Sequence, residues 1–185
     1  TLALRASGGG IAAVPVTVSR TMEGVASQYG GTVIRTKTDM HDVMEAATRE
    51  GVVIAADGMD NYAFPQFQPA ADGMMALAKL LECLATQKTS LSQITDALPP
   101  QHMAVRVVPC PWEAKGMVMR LLHERYKGDL DAQIDGVKVI LGNDWVLVLP
   151  DPDQPLFRVY AESDTQLAAD DLAGKYARIV ESLQK

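Results

Sequence analysis

Apolar and polar positions follow two different grammars along this chain. Ile11 to Val18 is a run rich in β-branched residues and predicts a strand; Ser19 can cap the next helix. Met22, Val25, Ala26 and Tyr29 then share one helical face before Gly30-Gly31 stops it. The unit repeats, with Thr32 to Arg35 as strand, Asp39 as cap, Val43, Met44 and Ala47 as helical stripe, Gly51 as stop, and Val52 to Ala55 as a wholly apolar strand. Continuous apolar strands alternating with amphipathic helices predict a parallel sheet covered on both faces.

An irregular stretch, DGMDNYAFPQFQPAADG, leads into a helix expected from about Ala70 to Thr86, with Met74, Leu77, Leu81 and Leu84 as its core stripe. Ser90-x-x-Gln93 is a capping box opening a short helix that must end before Pro99-Pro100. Residues 97–102 therefore read as a boundary. Beyond it, Val105 to Val108 predicts a strand, and a helix from about Trp112 to Tyr126 carries Val118, Leu121 and Leu122. Strands at Val137 to Leu141, Trp145 to Leu149 and Leu156 to Ala161 come in close succession, the first pair joined at the hairpin-type turn Gly142-Asn143-Asp144. Ser163-x-x-Gln166 reads as a second capping box, before a helix with Leu172, Tyr176, Ile179 and Leu183 at helical spacing. Consecutive strands flanked by helices predict a small antiparallel α+β module.

Composition narrows the function. With 185 residues, 48% of them hydrophobic, the chain can bury one large core or two small ones. Its 17 Lys and Arg against 23 Asp and Glu give a formal charge of −6, the wrong sign for a phosphate-backbone binder, so no nucleic-acid partner is expected. No apolar run is long enough to span a bilayer, and no signal-peptide organisation opens the chain, so no membrane partner and a cytoplasmic location are expected. Cys83 and Cys110 lack metal-site spacing and read as packed, reduced thiols. The opening TLALRASGGG, residues 1–10, reads as a linker or the start of a piece of a longer protein.

Candidate chemistry is sparse. Gly8-Gly9-Gly10 precedes a strand, whereas phosphate-cradling glycines come after one. His102 falls in the boundary and His123 in a helix, which leaves His41, beside Asp39 and Asp42 near a helix start, weighed against an ordinary solvated histidine. Asp57 and Asp60 flank Gly58 just after an apolar strand, where open α/β sheets place ligand loops. Glu113 and Lys115 read as first-turn residues, and Asp135 and Asp144 as turn chemistry. In the Pro150-Asp151-Pro152-Asp153-Gln154-Pro155 loop, backbone amides can donate toward an anion, but two of the six residues are carboxylates, which oppose that use.

The order and wording of these segments resemble the carboxyl-terminal half of the phosphohexomutases, the phosphomannomutase and phosphoglucomutase family. VTVSRTMEGVASQYGGTVIRTKT, FPQFQPAADGMMALAKLLE and DGVKVILGNDWVLVLPDPDQPLFRVYAES carry the resemblance. It implies an α/β fold: a three-layer βα domain like the family's third over residues 11–97, a linker at 98–102, and an α+β domain with an antiparallel sheet, like its fourth, over 103–185. The tail is also similar to that of fusions in which a mutase-like region comes after a sugar-1-phosphate nucleotidyltransferase, such as a mannose-1-phosphate guanylyltransferase.

In that family the phosphoserine and the Mg²⁺ loop belong to the first two domains. The resemblance therefore implies no catalytic residue and no cofactor in this fragment, Mg²⁺ being held upstream, and upstream domains of the same chain as partners. The family's sugar loop reads approximately G-E-x-S-G-H; here stand Ala56, Asp57, Gly58, Met59, Asp60 and Asn61, making Asp57, Met59 and Asn61 a degenerate sugar loop. The family's phosphate loop reads roughly R-P-S-G-T-E-P. Here Leu149 to Pro155 keep both prolines but lose the Arg and both hydroxyls, and Asp151, Asp153 and Gln154 form a degenerate phosphate loop. Losing a charge-assisted hydrogen bond costs roughly 1.5 to 3 kcal/mol, and each carboxylate about 6 Å from a phosphate adds on the order of 2–3 kcal/mol per phosphate charge at an effective dielectric of about 20. The expectation is a degenerate sugar-phosphate-recognition half with weak hexose-phosphate binding at most. A substrate-binding half of an active mutase with altered specificity is the alternative, and an unrelated binding role on the same scaffold is the third.

Overall fold

The computed structural model describes residues 1–127 and 134–184. The chain divides into two compact units, Thr1–Pro100 and Gln101–Lys185. Both sheets of the α/β architecture are built as the residue pattern requires, with additions the pattern did not announce.

In the first unit the elements are α1 (Leu2–Ser7), β1 (Gly10–Pro15), α2 (Thr21–Gln28), β2 (Gly31–Thr36), α3 (Met40–Ala47), β3 (Val52–Ala56), β4 (Tyr62–Phe64), β5 (Gln68–Ala71), α4 (Gly73–Thr86) and α5 (Leu91–Asp96). The sheet runs β2-β1-β3-β4-β5, with β2, β1 and β3 parallel and β4 and β5 added antiparallel. Adjacent β1 residues show why helices cover both faces. Ala12 packs with Leu4 and Ala26 on one side, while Ala13 packs with Val43, Ala46 and Ala47 on the other. Alternation along a strand sends neighbouring side chains to opposite faces, and alanine lets the helices come close.

Four expectations are overturned in this unit. Residues 2–7, read as linker, form α1: Leu4 is buried, and Gly8 closes the helix in the left-handed conformation, its N–H and that of Gly9 donating to Arg5 and Leu4. The stretch read as irregular supplies β4 and β5, strands of three and four residues that prolines disguise. On α4, Met74, Leu77 and Leu81 are exposed (84%, 58% and 59%), and the helix turns Ala76, Leu80 and buried Cys83 inward instead. At the start of α2, Ser19 accepts from the Thr21 N–H at 3.1 Å while Arg20 takes the cap position. The Ser90–Gln93 capping box is formed in full.

The second unit comprises β6 (His102–Pro109), α6 (Trp112–Arg125), β7 (Val137–Leu141), β8 (Asp144–Pro150), β9 (Leu156–Ser163) and α7 (Gln166–Ser182). Its sheet, β6-β9-β8-β7, is antiparallel throughout, and β6 begins inside the stretch read as linker. Leu141 pairs with Asp144 across the two-residue turn Gly142-Asn143, where Gly142 has φ 67°. From α6 and α7, Val118, Leu122, Ala169, Ala173, Tyr176 and Val180 bury one sheet face with Val108, Val146, Val148, Phe157 and Val159. On the other face Lys138 lies 4.4 Å from the Trp145 ring centroid, and the Trp145 indole donates to Glu162. The cap of α7 is Thr165, accepting from Ala168, and not Ser163; the Gln166 side chain donates to Met103 and Asp170.

Candidate functional site

The carboxyl ends of β1, β2 and β3 carry the first candidate site. After β3, Asp57 shapes its own loop: Oδ1 accepts from the N–H groups of Met59 (2.8 Å) and Asn61 (3.1 Å), and Oδ2 from the Asn61 side chain (2.7 Å). Burial pushes the Asp57 carboxyl up, but these hydrogen bonds outweigh it and hold the group below the usual carboxylate range. Gly58, at φ 80°, lies against the β1–α2 loop so closely that a Cβ there would stand 2.5 Å from the Val18 side chain. Met59 is 77% exposed and Asp60 and Asn61 line the rim, so the outward surface of the loop is a thioether, a carboxylate and an amide.

Arg35, at the end of β2, holds the neighbouring loop. Its guanidinium donates to the carbonyls of Pro15 (3.1 Å), Val18 (2.7 Å) and Ser19 (2.9 Å), and forks onto Glu23. The residue pattern gave no sign of this, since Arg35 reads as one polar position in a strand. His41 is exposed in the first turn of α3; its backbone N–H donates to the Asp39 cap at 2.7 Å.

The second candidate loop, between β8 and β9, belongs to the other unit. Asp151 does not face outward as a carboxylate at the phosphate position would. It is 9% exposed, with Oδ1 accepting from the N–H groups of Asp153 (3.0 Å) and Gln154 (2.9 Å). Its Oδ2 accepts from Arg158 Nε (3.0 Å), and Arg158 Nη2 lies at 3.0 Å as well. The Asp153 amide, outweighing burial, and then Arg158 and the Gln154 amide hold this carboxyl below the usual range. Asp153 and Gln154 themselves are exposed.

Lys115, read as an ordinary first-turn residue, is buried, and its ammonium donates to the carbonyls of Asp151 (2.6 Å) and Gln154 (2.5 Å) while lying 3.8 Å from the Trp112 ring centroid. Two cations thus serve the loop although its own six residues contain none. Arg158 was within reach of sequence reasoning, seven residues from Asp151; Lys115, 36 residues away, was not. Among the described residues no three His, Cys, Asp or Glu side chains group as a metal site.

Known proteins place this arrangement. Residues 2–102 match the model of the phosphoglucomutase/phosphomannomutase alpha/beta/alpha domain III. The chain belongs to the phosphoglucomutase/phosphomannomutase family. A probable phosphoglucosamine mutase of Methanopyrus kandleri is 32% identical over 180 residues, covering 96% of this chain and 40% of that protein. A phosphoglucomutase/phosphomannomutase of Thermococcus kodakarensis is 27% identical, covering 88% and 36%. The chain thus spans about two-fifths of the length of the relatives it matches. The structure of a phosphoglucomutase/phosphomannomutase family protein from Burkholderia thailandensis superposes with a TM-score of 0.76 at 19% identity, over 97% of this chain and 39% of that one. Aspergillus fumigatus N-acetylphosphoglucosamine mutase gives 0.68 at 16% identity, over 100% and 43%. These likenesses establish the shared fold. Among the described residues no helix is long and apolar enough to cross a membrane.

Proposed function

We propose that this chain is a degenerate sugar-phosphate-recognition half of a longer cytoplasmic protein of sugar-phosphate or nucleotide-sugar metabolism, without phosphohexomutase turnover of its own. The observation that carries the reading is the inward turn of Asp151: the loop amides and the guanidinium that could meet a phosphate already serve a carboxylate. The Asp57 carboxylate is likewise engaged by its own loop, the Asn61 side chain included, leaving Met59 and Asp60 with the rest of exposed Asn61 as the outward surface of a sugar loop. His41 adds an imidazole at the same strand ends.

The upstream domains of the same chain are the natural partners, with a guanylyltransferase-type domain as one form and phosphoserine and Mg²⁺-binding domains as another. The second form would make the whole an active mutase with altered specificity. Calorimetric titration of the chain with mannose 1-phosphate and glucose 1-phosphate tests the reading. Affinity weaker than millimolar is expected, and millimolar or tighter binding mapped to Asp57 and residues 151–154 overturns it.

A further inference from the structure

We propose that the cleft between α1, α4 and α5 of the first unit seats the polypeptide that precedes Thr1 in the longer protein, an apolar helical face of which lies along α4. The inference deepens the functional reading above and rests on it for the presence of preceding domains. The helical layer over β3 and β4 is incomplete: α1 has only six residues, and Ile54 of β3 and Phe64 of β4 form the floor of a cleft of about 570 Å³. Leu77 and Leu80 of α4 make one wall, and Leu91 and Ile94 of α5 another. Small-molecule sites add a few placed polar groups to such walls. Here the Lys79 ammonium is already answered by Glu82 at 2.7 Å, and the Thr95 hydroxyl donates to the Ser92 carbonyl at 2.9 Å. The walls therefore suit apolar side chains of a polypeptide better than a small polar ligand.

Beyond the cleft the apolar face continues. Met74, Leu77 and Leu81 are exposed at spacings of three and four, the seam that one helix offers another, and exposed apolar surface of this kind marks an interaction site. The length of the relatives selects the occupant. Residues 2–102 match a domain numbered third, and this chain covers 40% of the Methanopyrus kandleri relative, which leaves about 60% of that protein outside the match. Thr1, where a preceding segment joins, itself lines the cleft, so that segment reaches the seam with almost no linker and at high effective concentration. An interface within one chain has no need to open, and such permanent interfaces are the apolar ones.

Hydroxyl-radical footprinting read by mass spectrometry compares the 185-residue chain with the same reading frame extended upstream of Thr1. Met74, Leu77 and Leu81 are expected to lose most of their labelling in the longer protein, while Leu167, exposed on α7 in the other unit, keeps its own. Leu77→Asp in the longer protein is expected to restore labelling at Met74 and Leu81; Leu77 is exposed in the shorter chain, so the change spares the unit's own fold. Equal labelling of the three residues in the two proteins overturns the proposal, as does a reading frame with no coding sequence before Thr1. Protection that grows with the concentration of the 185-residue chain alone puts a second copy on α4 and overturns it too. Titration with hexose phosphates separates the two readings. Equal labelling in a longer protein that ignores hexose phosphates sinks this inference alone, whereas a protected α4 in a protein that binds them at millimolar affinity or tighter sinks the functional reading alone.

Discussion

Arg35 and Glu23 form a two-pronged ion pair, Nε to Oε1 at 2.8 Å and Nη2 to Oε2 at 2.7 Å, across the mouth of the β1–α2 loop. The two residues do not contribute equally. Arg35 is largely buried and also answers three backbone carbonyls, whereas Glu23 is 51% exposed. Arg35→Ala strands those carbonyls and is expected to cost about 2–3 kcal/mol, while Glu23→Ala costs under about 1 kcal/mol. Urea unfolding of the two variants checks the asymmetry; equal losses would place the energy in the ion pair itself.

Lys115 gives a second prediction. Lys115→Met retains much of the stem but leaves the Asp151 and Gln154 carbonyls without a donor, at an expected cost of about 2–3 kcal/mol. Chemical denaturation gives the magnitude, and NMR shifts at residues 151–155 give the location. Stability within about 0.5 kcal/mol of the parent would remove Lys115 from the loop's support.

Acid should weaken both units through Asp57 and Asp151. Each carboxyl ionises at lower pH in the folded chain than in the unfolded one. The unfolded chain therefore holds more protons in that range, and stability rises with pH. The contribution is fully present above the unfolded carboxylate value of about 4 and is lost as pH falls through the lowered folded values. Urea midpoints measured between neutral and acidic pH should decline less steeply for Asp57→Asn and Asp151→Asn than for the parent. Unchanged slopes in both variants would detach these two groups from acid sensitivity.

Gly136 tests backbone strain. It sits at φ 63°, and a Cβ there would meet the Val148 carbonyl oxygen at 2.5 Å. Gly136→Ala should therefore cost about 1–3 kcal/mol or more, because neither the dihedral nor a backbone atom of β8 can yield easily. Thermal unfolding is the readout, and an unchanged midpoint refutes the assignment.

Leu77→Gln probes the outward face of α4. With Leu77 58% exposed, the change should shift stability by no more than about 0.5 kcal/mol. A loss of several kcal/mol would return that stripe to the core.

Local chemistry was the legible part. The Ser90 box needs only residues three apart, and the βα repeats announce themselves through apolar runs ended by Gly30 and Gly51. Where two local solutions compete, the pattern could not choose. Ser163 and Thr165 can both cap a helix, and α4 offers one stripe through Leu77 and Leu81 and another through Ala76, Leu80 and Cys83. The strands β4 and β5 are too short to show a period. In the candidate sites, the positions of Asp57 and Asp151 were legible from the strand ends, but the direction of their carboxylates was not. A side chain that folds back onto its own loop and one that faces a ligand have the same spelling. Arg35 and Lys115 were hidden for a related reason: both answer carbonyls, which every residue possesses.

The grip of Lys115 on two carbonyls three residues apart has a mechanical side. Since that ammonium is rooted in the first turn of a fourteen-residue helix, the β8–β9 hairpin tip is tethered to the amino end of α6 by two hydrogen bonds from a single side chain.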